Sequence, residues 1–156
     1  GLKLLASKIK TLGWHIEFLM HVNEFPDLDS QLQDLDVDLV FGHLGYVPTQ
    51  TGATKGFEAL LRMAKNDKAW IKLTAPYRLT LEAMPYGSVH PVAQRLIAEV
   101  PQRLIWGSDW PHPISLKQPP NEGALLELLY RFAPDAVTQQ KILVDNPADF
   151  FGFETA

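Results

Sequence analysis

Apolar residues in this chain keep two alternating rhythms, one helical and one short and continuous. Leu2, Leu5, Ile9 and Leu12 recur at helical spacing and stop at Gly13, which takes left-handed backbone without penalty, so residues 2–12 are expected to be helical. Residues 14–20 then form an apolar run of strand length. The pattern repeats along the chain: helices are expected over 28–35, 56–66 and 89–100, and strands over 37–41, 69–73 and 104–106. Phe57, Leu60, Leu61 and Ala64 share one face of the third helix, and Pro91 fits the first turn of the fourth. Helices over 125–132 and 136–144, followed by Asn146-Pro147, close the chain. Helix–strand alternation with strands too apolar for a solvated face predicts an α/β fold with one parallel sheet.

A parallel sheet puts the C-terminal ends of all its strands on one rim, and polar residues gather there. His21, Asn23 and Glu24 follow the first strand. His43, Gly45 and Tyr46 follow the second, Thr74, Tyr77 and Arg78 the third, and Asp109, Trp110 and His112 the fourth. The rim below a (β/α) barrel's loops is where that fold keeps its chemistry. Asp109 stands at a strand end, and two prolines within the next four residues argue against a plain helix cap. An Asp, a His and an Arg together suit hydrolysis of an anionic substrate. The Asp would take a proton from water. The His would polarise a carbonyl or hold a metal that does so. The Arg would clamp a carboxylate through parallel hydrogen bonds. Tyr46 and Tyr77 lie where they would contact the same substrate.

Composition narrows the function classes. The chain has 156 residues, is 46% hydrophobic and carries a net charge of −4 without a basic cluster, which leaves nucleic-acid binding without electrostatic support. There is no cysteine, so any metal would rest on His, Asp or Glu. No apolar run approaches a membrane span, and the first residues show no signal-peptide pattern, so a cytoplasmic location is expected. Glu17 sits inside an apolar strand. If it faces the interior it needs a partner, because an unpaired buried carboxylate is costly. The aromatic residues Phe57, Trp70, Phe132, Phe150, Phe151 and Phe153 are expected in the core, and Trp14 in the core or at the base of the barrel.

Three segments together resemble the amidohydrolase family 2 group: Phe41-Gly42-His43-Leu44-Gly45, Leu104-Ile105-Trp106-Gly107-Ser108-Asp109-Trp110-Pro111-His112, and Val144-Asp145-Asn146-Pro147-Ala148 with Phe151-Gly152-Phe153. Within that group the likeness is to the pyrone-dicarboxylate hydrolases and related lactonases, and Tyr77-Arg78 fits it as well. The resemblance implies a (β/α)8 barrel, with Asp109 as general base and His43 against the substrate carbonyl. It also implies Arg78 on a substrate carboxylate, with Trp110 and His112 shaping the pocket floor. The implied reaction is water-mediated opening of a lactone or cyclic ester that bears carboxylates. Metal-dependent decarboxylation on the same barrel and a non-catalytic binding remnant are the alternatives. The implied cofactor is one divalent ion such as zinc, held by His43 and Asp109 if the full-length protein binds one, or none.

Two departures shape these expectations. The family's His-x-His pair has no counterpart among His15, His21, His43, His90 and His112. A barrel of this kind takes about 250 residues, so four strands amount to its C-terminal half. The chain also opens in mid-helix, and a fragment of a longer protein is expected. Pairing of two copies into a homo-oligomer is another way to cover the edges that four strands leave open.

Overall fold

Strands this short and apolar satisfy their backbone only by pairing with one another. β1 (Ile16–Phe18), β2 (Leu39–Phe41), β3 (Ala69–Leu73) and β4 (Leu104–Trp106) do so in one sheet, ordered β1-β2-β3-β4 and parallel throughout. The computed structural model describes residues 1–49, 54–114 and 120–154. Helices α1 (Leu2–Ile9), α2 (Leu28–Leu32), α3 (Lys55–Lys65) and α4 (His90–Glu99) alternate with the strands. α5 (Glu122–Phe132), α6 (Ala136–Gln140) and α7 (Asn146–Phe151) follow β4, with a π-helical turn over Lys141–Asp145 joining the last two. This is the architecture of about half a (β/α)8 barrel. Among the described residues no helix is long and apolar enough to cross a membrane.

The pleat divides the strands between two faces. Ile16, Leu39, Phe41, Ala69, Ile71, Leu73 and Leu104 turn toward the helices and enter the main core with Phe57, Leu60, Leu61 and Leu96. Burying each such side chain contributes about 1.5–3 kcal/mol, which makes this layer the dominant stabilising contact. On the other, concave face Val40, Trp70 and Ile105 form a second small cluster against Phe150. Arg103 lies over the Trp70 ring at 4.7 Å. Glu17 also points to this face and meets Lys72 at 2.7 Å, which supplies the partner its position requires. The buried Asn146 amide donates to the carbonyls of Pro101 (2.8 Å) and Leu104 (2.6 Å), tying the start of α7 to the base of β4.

The strands and helix faces follow the apolar rhythm closely, with corrections at the edges. The first strand is paired over 16–18 rather than 14–20, because only Ile16 to Phe18 have ladder partners in β2. Trp14 (63% exposed), Phe151 (44%) and Phe153 (65%) lie outside the core. α7 turns one aromatic ring, Phe150, to the sheet, and Phe151 and Phe153 stack outward from it.

α3 starts at Thr54, whose hydroxyl accepts the Phe57 N–H, and its first turn runs against the loop after β1. A methyl group on Gly56 would lie 1.8 Å from the Val22 carbonyl oxygen. Gly56→Ala is therefore expected to lower stability by about 1–3 kcal/mol despite alanine's better helix propensity. Denaturant unfolding checks this; a variant as stable as the parent would show that the close approach is absent.

Candidate active site

β2, β3 and β4 are each followed at the rim by left-handed backbone, a conformation residues other than glycine adopt at a cost of about 1–2 kcal/mol per residue. After β2 these are His43, Leu44, Gly45 and Tyr46 (φ 51°, 53°, 68° and 50°). After β3 it is Ala75 (φ 47°), and after β4 Asp109 and His112 (φ 65° and 58°). Strain of this kind persists where the surrounding structure holds a side chain in one place, and such positions cluster at functional sites.

Those turns bring His43, Tyr77, Arg78 and Asp109 together. Asp109 Oδ2 accepts from the Tyr77 hydroxyl at 2.5 Å and pairs with Arg78 Nη2 at 3.0 Å. The other carboxylate oxygen, Oδ1, faces His43 Nε2 at 3.7 Å, beyond hydrogen-bond reach. His43 is buried, and its Nδ1 lies 2.6 Å from Thr74 Oγ1. The Thr74 hydroxyl also accepts the His43 backbone N–H at 3.2 Å. The Asp109 carboxylate 3.7 Å from Nε2 favours the tautomer with its proton on Nε2, in which the Thr74 hydroxyl donates to Nδ1.

The electrostatics agree with a neutral His43. Burial holds its proton affinity below that of an ordinary histidine; Asp109 pulls it up and Arg78 pushes it further down. Burial works against the charge on Arg78, but the Tyr46 hydroxyl and Asp109 outweigh it and keep the guanidinium protonated. Burial, reinforced by the Asp109 carboxylate, pushes the Tyr77 phenol well above its ordinary range. Tyr77 therefore acts as a hydrogen-bond donor, not as a phenolate.

Arg78 also donates through Nη1 to the Tyr46 hydroxyl at 3.2 Å, and its buried Nε has no acceptor among the described residues. A cavity of about 800 Å³ opens beside it, lined by Tyr46, Tyr77, Arg78, Thr80, Glu82 and Ser88. That is within the range of small-molecule sites. The His21 ring packs on Tyr46 at 4.9 Å, and Asn23 and Glu24 fall in the turn after β1. Trp110 turns outward and is 74% exposed. His112 is buried behind Tyr77, with Nδ1 3.0 Å from the Tyr77 oxygen and Nε2 3.2 Å from Glu122 Oε1. Sequence reasoning named Thr74 only as a strand end and did not name Glu122. A carboxylate in the first turn of α5 carries no sign that a histidine ten residues back has turned toward it.

The donor set does not fit a metal ion on its own. Among the described residues no group of three or more His, Asp or Glu side chains converges. His43 Nε2 and Asp109 Oδ1 are two atoms, whereas a catalytic zinc takes three protein ligands, and the Arg78 cation already sits 3.0 Å from the same carboxylate.

A parallel half-barrel carries an aspartate, a histidine and an arginine at its C-terminal rim, and comparison with known proteins identifies its family. Residues 4–153 match the family described as Amidohydrolase, and the chain belongs to that family. It is 40% identical over 149 residues to 4-sulfomuconolactone hydrolase of Rhizobium radiobacter, covering 90% of this chain and 50% of that protein. It is 33% identical over 153 residues to 2-pyrone-4,6-dicarboxylate hydrolase of Comamonas testosteroni, covering 92% and 50%. The chain thus spans about half the length of the curated relatives it matches. The crystal structure of a Pseudomonas putida protein proposed to be a 2-pyrone-4,6-dicarboxylic acid hydrolase superposes with a TM-score of 0.83 at 30% identity, covering 97% of this chain and 56% of that one. An amidohydrolase of Burkholderia multivorans with bound zinc shares the fold at 20% identity and a TM-score of 0.71, covering 96% and 56%.

Because the His43 affinity is lowered by folding, the unfolded chain takes up that proton first as pH falls. Stability linked to neutral His43 is complete above the ordinary value of 6.5 and is lost progressively below it. The His43 Cε1–H resonance is expected to titrate with a midpoint below 6.5, and Thr74→Val to raise that midpoint by unlocking the ring. A midpoint at or above 6.5 in the parent protein would contradict the buried neutral imidazole.

Proposed function

We propose that the protein carrying this chain opens a lactone that bears an acidic substituent, by attack of water, and that Asp109 is the general base. The chain would form the C-terminal part of its barrel domain. The observation that carries this reading is the pairing of two atoms unengaged among the described residues, Asp109 Oδ1 and His43 Nε2, at 3.7 Å. A water on Oδ1 and a carbonyl oxygen on Nε2–H would sit side by side, as a near-attack arrangement requires. In that arrangement Asp109 takes a proton as the water oxygen bonds to the carbonyl carbon. His43 donates to the oxygen that gains charge. Collapse of the tetrahedral intermediate breaks the ring C–O bond, and the proton on Asp109 passes to the departing ring oxygen. The products are a carboxylic acid and a hydroxyl, or its keto form where the ring oxygen was enolic.

Arg78 supports the choice of an acidic substrate. It is a buried cation whose Nε has no acceptor among the described residues and lies beside a cavity, and a carboxylate or sulfonate oxygen is the acceptor such a donor fits. The names of the relatives point the same way, since both describe hydrolases of lactones carrying acid groups.

The test is turnover of 2-pyrone-4,6-dicarboxylate and 4-sulfomuconolactone by the natural full-length protein, followed by ring absorbance. Asp109→Asn is expected to lower kcat by about 10²–10⁴-fold with the fold intact by circular dichroism. Arg78→Met is expected to lower kcat/KM by about tenfold or more, since it removes both the anion partner and a support of Asp109. Turnover unchanged in Asp109→Asn would remove Asp109 as base. Carbon dioxide release in place of ring opening would make the protein a decarboxylase, and binding of either compound without turnover would make it a binding module.

A further inference from the structure

Behind Asp109 runs a chain of contacts that the proposed reaction does not by itself require: Asp109 Oδ2, the Tyr77 hydroxyl, the His112 ring and the Glu122 carboxylate. The Tyr77 hydroxyl has one proton and two neighbours able to accept it, Asp109 Oδ2 at 2.5 Å and His112 Nδ1 at 3.0 Å. The proton can serve Asp109 only if Nδ1 carries its own and donates to the Tyr77 oxygen. On the far side of the ring, Nε2 faces a carboxylate at 3.2 Å, which also asks for a proton. A ring that donates at Nδ1 satisfies the first contact, and Glu122 holds the ring from its other side. The His112 side chain is 2% exposed, so no water competes for these positions, while Glu122 is about half exposed at the surface. The left-handed backbone of His112 (φ 58°) is what turns the ring inward between them.

We propose that His112 and Glu122 are positioning residues for the reaction: His112, held by Glu122 and donating through Nδ1 to the Tyr77 oxygen, commits the Tyr77 proton to Asp109 Oδ2 and so leaves Oδ1 as the oxygen that takes a proton from water. This rests on the reading of Asp109 as base. It differs from a pocket-floor role for His112, because the ring lies behind Tyr77 and acts through it. Tyr77 and Arg78 both engage Oδ2, so the carboxylate is held by one oxygen and works with the other. The raised phenol affinity of Tyr77 is in keeping with a group that donates and keeps its proton. Without a donor at Nδ1, the Tyr77 proton would have a second acceptor to serve. Asp109 would then keep the Arg78 contact alone and could turn Oδ1 from its place.

The experiment compares Tyr77→Phe, His112→Leu, His112→Asn and Glu122→Gln in the natural full-length protein. Kinetics on 2-pyrone-4,6-dicarboxylate and 4-sulfomuconolactone are followed across pH. His112→Leu and Tyr77→Phe are expected to lower kcat about tenfold or more while KM stays within about threefold, since the contact matters to the base rather than to substrate binding. In both, the acid limb of the kcat/KM profile is expected to move to higher pH, because an ionised base has lost a donor. His112→Asn keeps an N–H near the place of Nδ1 and is expected to retain most of the rate and the original limb. Glu122→Gln, a surface change that does not threaten folding, is expected to shift the limb in the same direction by less. An unmoved limb in both Glu122→Gln and Tyr77→Phe would overturn the proposal, as would His112→Asn behaving like His112→Leu. Full turnover by Asp109→Asn would instead overturn the base assignment on which it rests, and the two failures are read on different variants.

Discussion

Among the described residues the Asp109 carboxylate takes donors on one oxygen and leaves the other bare, and the rim is built around that asymmetry. Arg78 and Tyr77 meet Oδ2 from the turn after β3, while His43 faces Oδ1 from the turn after β2. One side chain at the end of β4 thereby ties together three neighbouring strand ends. A carboxylate so placed is held by a cation and a hydroxyl where water would otherwise bind it. The same ties fix where its free oxygen points.

The backbone supplies that placement at a cost. His43, Ala75, Asp109 and His112 all sit in left-handed conformations, and none is a glycine. Such residues would relax if the core beneath them were loose. The core is not loose: Phe41, Ile71 and Leu104, which precede the turns, are fully buried against the helices. Packing on the convex face thus stabilises strain on the rim, and strain on the rim aims the side chains. On the concave face the Glu17–Lys72 pair and the Phe150–Trp70 contact occupy the space beneath the site.

Much of this was legible in the order of residues, and what was not has identifiable causes. The strands, the helical faces and the single rim follow from local apolar spacing and from the rule that parallel strands end together. Asp109, His43 and Arg78 could be named because each falls just past a strand. The Thr74 contact with His43 spans 31 residues and depends on two turns closing at once, which no local pattern encodes. The need of Glu17 for a partner was readable, but Lys72 lies 55 residues away and two strands across, so its identity waits on the sheet order. Trp14, Phe151 and Phe153 show the converse: an aromatic residue near a strand or in a helix does not reveal which face it will occupy.

The most direct measurement is a crystal structure of the natural full-length protein, as its Asp109→Asn variant, with an intact acidic lactone bound. The account predicts the lactone carbonyl oxygen within hydrogen-bond reach of His43 Nε2, a water between residue 109 and the carbonyl carbon, and the acid group of the substrate against Arg78. A lactone whose carbonyl carbon lies away from residue 109, with no path for a water between them, would contradict it.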